Sequence, residues 1–342
     1  MKMKVTDFAE YLEAFFTEYL ASEINVSKHT IRSYRDTFVH LIDYMDDAHG
    51  ISVDRIILND FNRNIILSFL NWLEDKRCNS IATRNQRYAA IRSFFRFLER
   101  KDPTRLATWQ SMCTIRMKKR EKSTVNHLSV DGIKCLFDQI SVKEKHGRRN
   151  ITLLTLLYET GARVQELIDL TPSCIRLEKP AIVRLHGKGN KVRIVPLREQ
   201  MIEILKIYME EYQLSSPAKG EHPLFFNSRR QKLTGSGITY ILNTYVTMAR
   251  IYNPTLIPNN VSPHVIRHSR AMHLLQSGVN LVYIRDLLGH VSIQTTEIYA
   301  RSDSRFKREA IEKASQDYFE EEAKTVSWEN DKELKSFLKG LA

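Results

Sequence analysis

The sequence predicts a mainly α-helical protein with a small antiparallel β-sheet, divided into two domains. Three observations predict it. Glycine and proline are sparse, 12 and 9 in 342 residues, a composition that favours helix. Apolar residues recur at helical spacing along most of the chain, and only one region, around 174–197, reads as strands. The length exceeds what one core usually needs and suits two.

The N-terminal domain spans residues 1–102. Residues 5–20 place Phe8, Leu12, Phe15, Phe16 and Tyr19 at helical spacing. Ser27 is an N-cap for a second helix through Met45, with Ile31, Tyr34, Phe38, Leu41 and Ile42 on one face. A third helix fits Asn59–Lys76. A fourth runs from near Ser80 to about Arg100, with Tyr88, Ile91, Phe94, Phe95 and Leu98 as its apolar face. Four amphipathic helices with one stripe each can bury a common core. Pro103 stops the fourth helix. Residues 103–126 lack clear periodicity, carry RMKKREK and read as a basic interdomain linker. A solvated charge run is the plainer reading, and a linker that orders only on a phosphate backbone satisfies both.

The second domain spans 127–305. Ser129 caps a helix through Ile140, and residues 150–168 fit a buried helix. CIRLEKP, AIVRLHG and KVRIVPL then read as strands. The GKGN stretch between the last two tolerates positive φ and predicts a hairpin. Helices resume at about 198–212, 235–250, 263–277, 280–288 and 292–300. Ser262-Pro263 is a helix start and Gly278 a stop. The remaining tail, 306–342, is highly charged. It ends with Leu334, Phe337, Leu338 and Leu341 at i, i+3, i+4, i+7. A helix this short is unstable alone and needs a groove, on its own chain or on a neighbour.

The formal net charge is +12, and it is clustered. From Lys76 to Lys122 there are 14 Lys and Arg against Glu99, Asp102 and Glu121, whereas the first 50 residues are net acidic. Clustering of this kind favours a polyanion-binding face over general solubility. Cys78, Cys113, Cys135 and Cys174 are scattered and form neither a disulfide framework nor a zinc knuckle. The N-terminus meets Asp7, Glu10 and Glu13 before any apolar run, unlike a signal peptide. No stretch approaches the roughly 18 apolar residues of a membrane span. These features predict a cytoplasmic protein without a membrane partner.

The chemistry concentrates near the C-terminal end. SPHVIRHSRAMHLL, LLGH and TTEIYA place His264, Arg267, His290 and Tyr299 within 36 residues. With Arg163 and Lys188 upstream they form a set of cations, proton carriers and one phenol. Such a set suits breaking a phosphodiester with a tyrosine nucleophile, because fixed cations stabilise charge growing on the nonbridging oxygens. Arg163 and Arg267 suit that role, since a guanidinium offers two aligned donors. His264 and Arg267 share a helix face at i, i+3. An ordinary phenol is ionised only about one part in a thousand near neutral pH, so Tyr299 needs a base or a cationic field. His264 is placed to take its proton. Lys188 and Lys191 in the HGKGNK hairpin are both candidates to protonate the leaving 5′-oxygen, and the residues alone do not choose between them. His264 and His268 also have metal-ligand spacing. They lack a third ligand, and Arg267 would repel a dication. His268 and His273 are therefore assigned to packing or supporting hydrogen bonds, with neither metal nor cofactor expected.

In order and spacing these motifs resemble those of the tyrosine recombinases, or phage-type integrases, with Xer recombinases as close examples. TGARVQEL matches the first arginine motif, GKGNKVRIVPL the hairpin lysine motif and SPHVIRHSRAMHLL the His-x-x-Arg motif. LLGH matches the second histidine and TTEIYA the nucleophile motif. The resemblance covers about 127–305 and implies a DNA breaking–rejoining fold. The N-terminal helices resemble the family's SAM-like core-binding domain more weakly.

The resemblance implies that Arg163 and Arg267 bind the scissile phosphate, Lys188 is the general acid and His264 assists proton movement at the tyrosine. His290 would hydrogen-bond the phosphate, Tyr299 would form a 3′-phosphotyrosyl link, and Glu166 would orient catalytic groups. It further implies double-stranded DNA with inverted-repeat core sites as substrate. A homotetramer on two duplexes would exchange strands through a Holliday junction, aided by accessory DNA-bending or directionality proteins. Lys28, Arg32, Arg35, Arg84, Arg92, Arg96, Arg100, Lys118 and Lys119 are the expected DNA contacts. Leu334, Phe337, Leu338 and Leu341 are the expected intersubunit plug. No obvious arm-binding domain precedes Val5, which favours an Xer-like or transposon-borne recombinase over an arm-site integrase. A monomeric topoisomerase IB-like enzyme and a catalytically silent DNA-binding regulator are the alternatives.

Overall fold

The computed structural model describes residues 5–119, 125–187 and 191–302, with the single positions 336, 339 and 340. Two compact units cover Met1–Ser123 and Thr124–Ala342.

In the first unit the first four α-helices each start where a short polar side chain satisfies free N–H groups. Thr6 accepts from Ala9 N and opens α1 (Asp7–Ala14), which continues in wider π-helical turns over Phe15–Glu23. Ser27 accepts from Thr30 N and opens α2 (Lys28–His49), and Gly50, at φ +64°, closes it. Asn62 opens α3 (Arg63–Asp75) by accepting from Asn64 N and Ile65 N. The helix expected from Asn59 therefore starts later, after a 3-10 turn at Leu58–Asp60. Ser80 opens α4 (Ile81–Lys101). The core is aromatic: Phe15, Phe38 and Phe94 meet edge to face at 5.2–6.1 Å, the arrangement that ring quadrupoles favour.

The segment expected to be a linker from residue 103 is, in its first half, part of this unit. Pro103–Arg105 forms a 3-10 turn and Leu106–Cys113 forms α5. Trp109 and Met112 are fully buried. Trp109 stacks on Phe95 at 5.9 Å, and its Nε1 donates to Asp102 O. Two inward residues in eight are too few to produce a visible period in the sequence.

In the second unit Ser129 caps α6 (Val130–Phe137). The helix expected over 150–168 is two helices, α7 (Gly147–Thr160) and α8 (Val164–Ile168). Gly161 separates them at φ +55°, and a Cβ there would lie 2.6 Å from Leu288 Cδ2. Only glycine supplies both the left-handed turn and the close approach. The strands β1 (Ile175–Arg176), β2 (Ile182–His186) and β3 (Val192–Pro196) form one antiparallel sheet in that order. Leu185 pairs with Arg193 and Val183 with Val195. The helices α9 (Glu199–Glu211), α10 (Gly235–Tyr252), α11 (Pro263–Gln276), α12 (Leu281–Leu288) and α13 (Gln294–Ser302) follow.

The main core of this unit joins α7, the sheet, α9 and α10. A smaller cluster of Ala271, Met272, Leu275, Ile284, Leu288 and Tyr299 packs α11, α12 and α13 together. Among the described residues no helix is long and apolar enough to cross a membrane.

Trp109→Ala should lower the unfolding free energy by about 3–5 kcal/mol in urea denaturation. A tryptophan on a loose linker would leave stability unchanged.

Candidate active site

The site is built around the end of α12. A helix leaves its last carbonyls without intrahelical partners, and they carry the negative end of its dipole. Here three consecutive carbonyls each accept from a different arginine. Arg193 Nε donates to Leu287 O at 2.8 Å, Arg267 Nη2 to Leu288 O at 2.6 Å and Arg163 Nη2 to Gly289 O at 3.1 Å. Gly289 makes the turn at φ +65°, and a Cβ there would press on the Arg193 guanidinium at 3.1 Å.

Two further acceptors complete the cradle. Arg267 Nη1 donates to Gly161 O, the turn that separates α7 from α8. Glu166 is 3% exposed. It accepts from Arg163 N and Nη1, and from both Nη atoms of Arg193, each at 2.7 Å. Burial alone would raise the Glu166 carboxyl, but the donors from Arg193 and Arg163 outweigh it and hold it below the ordinary range. Arg267 is the most buried of the three arginines. Burial first, then Arg163 and Arg193, lower it to about 10, so it stays charged near neutral pH.

Arg193 has no place among the residues singled out from the sequence. A signal was present in KVRIVPL: strand alternation puts Arg193 in phase with buried Val195, so an inward cation needed a buried acid. Glu166 is that acid, a pairing that requires the fold.

Arg163, Glu166, Arg267, His290 and Tyr299 converge as expected. His290 Nδ1 lies 2.9 Å from Oγ1 of the buried Thr296. Burial, then the positive field of Arg267 and Arg163, lowers its pKa to about 4, so the ring is neutral near neutral pH. The Tyr299 ring stacks beside His290 with centroids 6.4 Å apart. Tyr299 is 1% exposed. Burial pushes its phenol up to about 12, against a smaller opposite pull from Arg267.

The histidine expected at the phenol is not the one found there. His268 Nδ1 lies 2.8 Å from the Tyr299 hydroxyl, while His264 is exposed one turn earlier on α11. His273, also assigned to support, contacts Tyr158 Oη at 2.8 Å and Leu128 O at 2.9 Å. Lys188 lies outside the described residues. Its neighbour Gly187 sits against Glu166 and Arg163, and a Cβ there would be 3.2 Å from Glu166 Oε1. Lys191 is exposed. Among the described residues no group of three or more His, Cys, Asp or Glu side chains is arranged to hold a metal ion.

The expected DNA contacts divide. Lys28, Arg32, Arg35, Arg96, Lys118 and Lys119 are exposed, and Arg92 is half-buried. Arg84 is a correction: it is 1% exposed and faces Glu74 at 3.3 Å, inside the first unit. The reason is geometric. Arg84 lies seven residues before Ile91 and shares its inward face, so it points into the core. Arg100 is exposed but pairs with Glu23 at 3.1 Å and covers Tyr19. Arg35 pairs with Asp36 and Lys118 with Glu74. Leu334, Phe337, Leu338 and Leu341 lie outside the described residues, among which Ser336 and Lys339 are helical.

Residues 126–305 match the phage integrase family, and residues 14–102 match the phage integrase N-terminal SAM-like domain. The tyrosine recombinase XerD of Oceanobacillus iheyensis is 34% identical over 293 residues, 85% of this chain and 93% of that protein. XerD of Staphylococcus epidermidis strain RP62A is 35% identical over 291 residues, 83% of this chain and 91% of that protein. The fold is similar to XerH bound to palindromic difH substrate in a post-cleavage complex. That likeness has a TM-score of 0.66 and 23% identity, and covers 84% of this chain and 80% of that one. It is also similar to the Tn1549 transposon integrase bound to transposon right-end DNA. There the TM-score is 0.69 at 16% identity, covering 88% and 98%. The chain belongs to the phage integrase family, as a tyrosine-type site-specific recombinase.

Glu166→Gln leaves two partly buried arginines without their carboxylate and should destabilise the protein by on the order of 3 kcal/mol near neutral pH. Because folding depresses the Glu166 pKa, its contribution is present above the unfolded carboxyl pKa and is lost as pH falls through the folded one. The gap between wild type and variant in urea denaturation should therefore narrow in acid. A constant gap would assign the loss to packing.

Proposed function

We propose that this recombinase cleaves and rejoins double-stranded DNA at inverted-repeat core sites through a 3′-phosphotyrosyl link at Tyr299. The observation that carries this reading is the placement of one buried tyrosine beside His290 and within the field of Arg267. The DNA-bound relatives support the duplex as substrate.

In this reading Arg163 and Arg267 bind the nonbridging oxygens of the scissile phosphate. Their guanidinium planes are already oriented by Gly161, Leu288 and Gly289, so little reorganisation accompanies charge build-up. Neutral His290 hydrogen-bonds the same phosphate, and Glu166 orients Arg163. Lys188 is assigned as the acid for the 5′-oxygen, consistent with Gly187 lying against Arg163. The phosphotyrosyl bond conserves the energy of the broken phosphodiester. Rejoining then needs no ATP, and arginines take the charge-stabilising role of a metal.

Lys28, Arg32, Arg35, Arg92, Arg96, Lys118 and Lys119 would hold the DNA backbone. A homotetramer on two duplexes would exchange strands through a Holliday junction, with the C-terminal helix around Leu334, Phe337, Leu338 and Leu341 docking on the next subunit. Accessory DNA-bending or directionality proteins would set the outcome.

A nicked duplex carrying a core site selected from random sequence tests the chemistry. Wild type should give a denaturant-resistant protein–DNA adduct, and Tyr299→Phe none; an adduct with the phenylalanine variant would refute the nucleophile. Arg96→Ala should weaken binding to all sequences alike and flatten the salt dependence by about one unit of slope. Deleting residues 330–342 should reduce assembly on two duplexes more than binding to a single site. Unchanged assembly would rule out the plug.

A further inference from the structure

Building on the functional reading above, we propose that Arg193 is a positioning residue for strand cleavage. It saturates Glu166, so that Arg163 keeps its charge and its remaining donors for the scissile phosphate. Arg193 stands on β3, opposite the buried Leu185 of β2. Its side chain is turned inward and is 11% exposed. Nη1 and Nη2 donate to the two Glu166 oxygens at 2.7 Å each, and Nε donates to Leu287 O at 2.8 Å. All three nitrogens engage protein acceptors, so this guanidinium faces the frame of the site rather than a phosphate.

An ionised carboxylate offers about four acceptor positions. Glu166 gives two to Arg163, through its backbone N and Nη1, and two to Arg193. Arg163 therefore holds the acid through one guanidinium nitrogen. Its Nη2 turns to Gly289 O, and its side chain stays 35% exposed. Without Arg193, half of the acceptor positions would open, and an unshared negative charge would be left buried. Arg163, the other cation on Glu166, would close on both oxygens. Such a bidentate pair is strong, and it leaves no excess charge for a phosphate. Arg267 would then be the one arginine of the site without a carboxylate among the described residues. Of the donors that hold the Glu166 carboxyl below its ordinary range, Arg193 comes first.

The third donor ties the same guanidinium to the end of α12. Gly289 comes so close that a Cβ would lie 3.0 Å from Arg193 Cδ and 3.1 Å from Nη1. Arg193 is thus fitted between an acid of α8 and the glycine turn that leads into His290. Charge alone does not fill this place. A lysine is a point donor and cannot bridge two carboxylate oxygens and a carbonyl together.

The test measures single-turnover adduct formation on the nicked duplex, with duplex binding and thermal melting as folding checks. The scissile linkage is either the natural phosphodiester or a methylphosphonate, in which a methyl replaces the charged oxygen. Arg193→Gln should cleave the diester about 10²-fold more slowly, as when one charge-stabilising donor is lost, with duplex binding unchanged. Arg193→Lys should be about 10-fold slower, since it keeps the charge and loses the fork. The methylphosphonate transition state carries one negative charge fewer, which Arg267 alone can meet. On it both variants should come within about threefold of wild type. Val195→Ala loosens the same strand without touching the guanidinium and should slow both substrates alike. The double variant Glu166→Gln/Arg193→Gln has no stray carboxylate. It should cleave the diester faster than Arg193→Gln alone. If Arg193→Gln fails the melting check, Arg193→Lys carries the same comparison of substrates. Equal slowing on both substrates, or a double variant no faster than Arg193→Gln, would overturn the proposal and leave Arg193 a structural strut. Diester cleavage by Arg193→Gln at the wild-type rate would overturn it too, with the functional reading intact. If wild type binds the duplex but forms no adduct on the diester, the functional reading itself falls, and this inference with it.

Discussion

The geometry of the site depends on one local arrangement, the exposed C-terminal carbonyls of α12. Leu287, Leu288 and Gly289 offer three acceptors in a row, and Arg193, Arg267 and Arg163 take one each. The three arginines come from a strand, a helix and a turn that are far apart in sequence. Binding to successive peptide units of one turn therefore sets their mutual spacing. The same turn leads into His290, so the three cations and the neutral imidazole share one backbone reference.

Three guanidinium groups held together repel one another, and the fold offsets this in two ways. Glu166 places a full negative charge between Arg163 and Arg193. Gly161 O and Leu288 O place partial negative charge on Arg267, which has no carboxylate partner of its own among the described residues. The result is a positive excess, aimed and desolvated, of the kind that stabilises a phosphoryl transition state. A second acid supports the frame from behind. Glu159 ion-pairs with Arg198 and Arg270, and Arg270 Nε also donates to its carbonyl. These contacts steady the end of α7 just before the Gly161 turn.

The same burial that organises the cations makes the Tyr299 phenol harder to ionise. Tyr299 is part of the apolar cluster of α11, α12 and α13, and its phenol is raised accordingly. At the edge of that cluster, His268 Nδ1 lies 2.8 Å from the Tyr299 hydroxyl.

Much of the molecule was legible from residue order. The caps at Ser27, Ser80 and Ser129, the hairpin after His186, and the grouping of Arg163, Arg267, His290 and Tyr299 follow from local chemistry and motif spacing. Other features were not. Arg84 reads as one more basic residue of a charged stretch, and only the packing of α4 turns it toward Glu74. The 150–168 stretch reads as one apolar helix, and the left-handed Gly161 that divides it is set by the approach of Leu288. Residues 106–113 have too few inward positions to reveal a helix.

The sequence by itself determined the architecture and the family, because helix caps, apolar periods and ordered motifs are local properties. Only the tertiary structure decided which histidine meets Tyr299, which acid neutralises Arg193 and which carbonyls orient the arginines. His264 and His268 differ by one helical turn, and their sequence neighbours do not separate the ring that meets Tyr299 from the exposed one. That distinction depends on where α13 packs against α11, a contact between segments about thirty residues apart that no local rule contains.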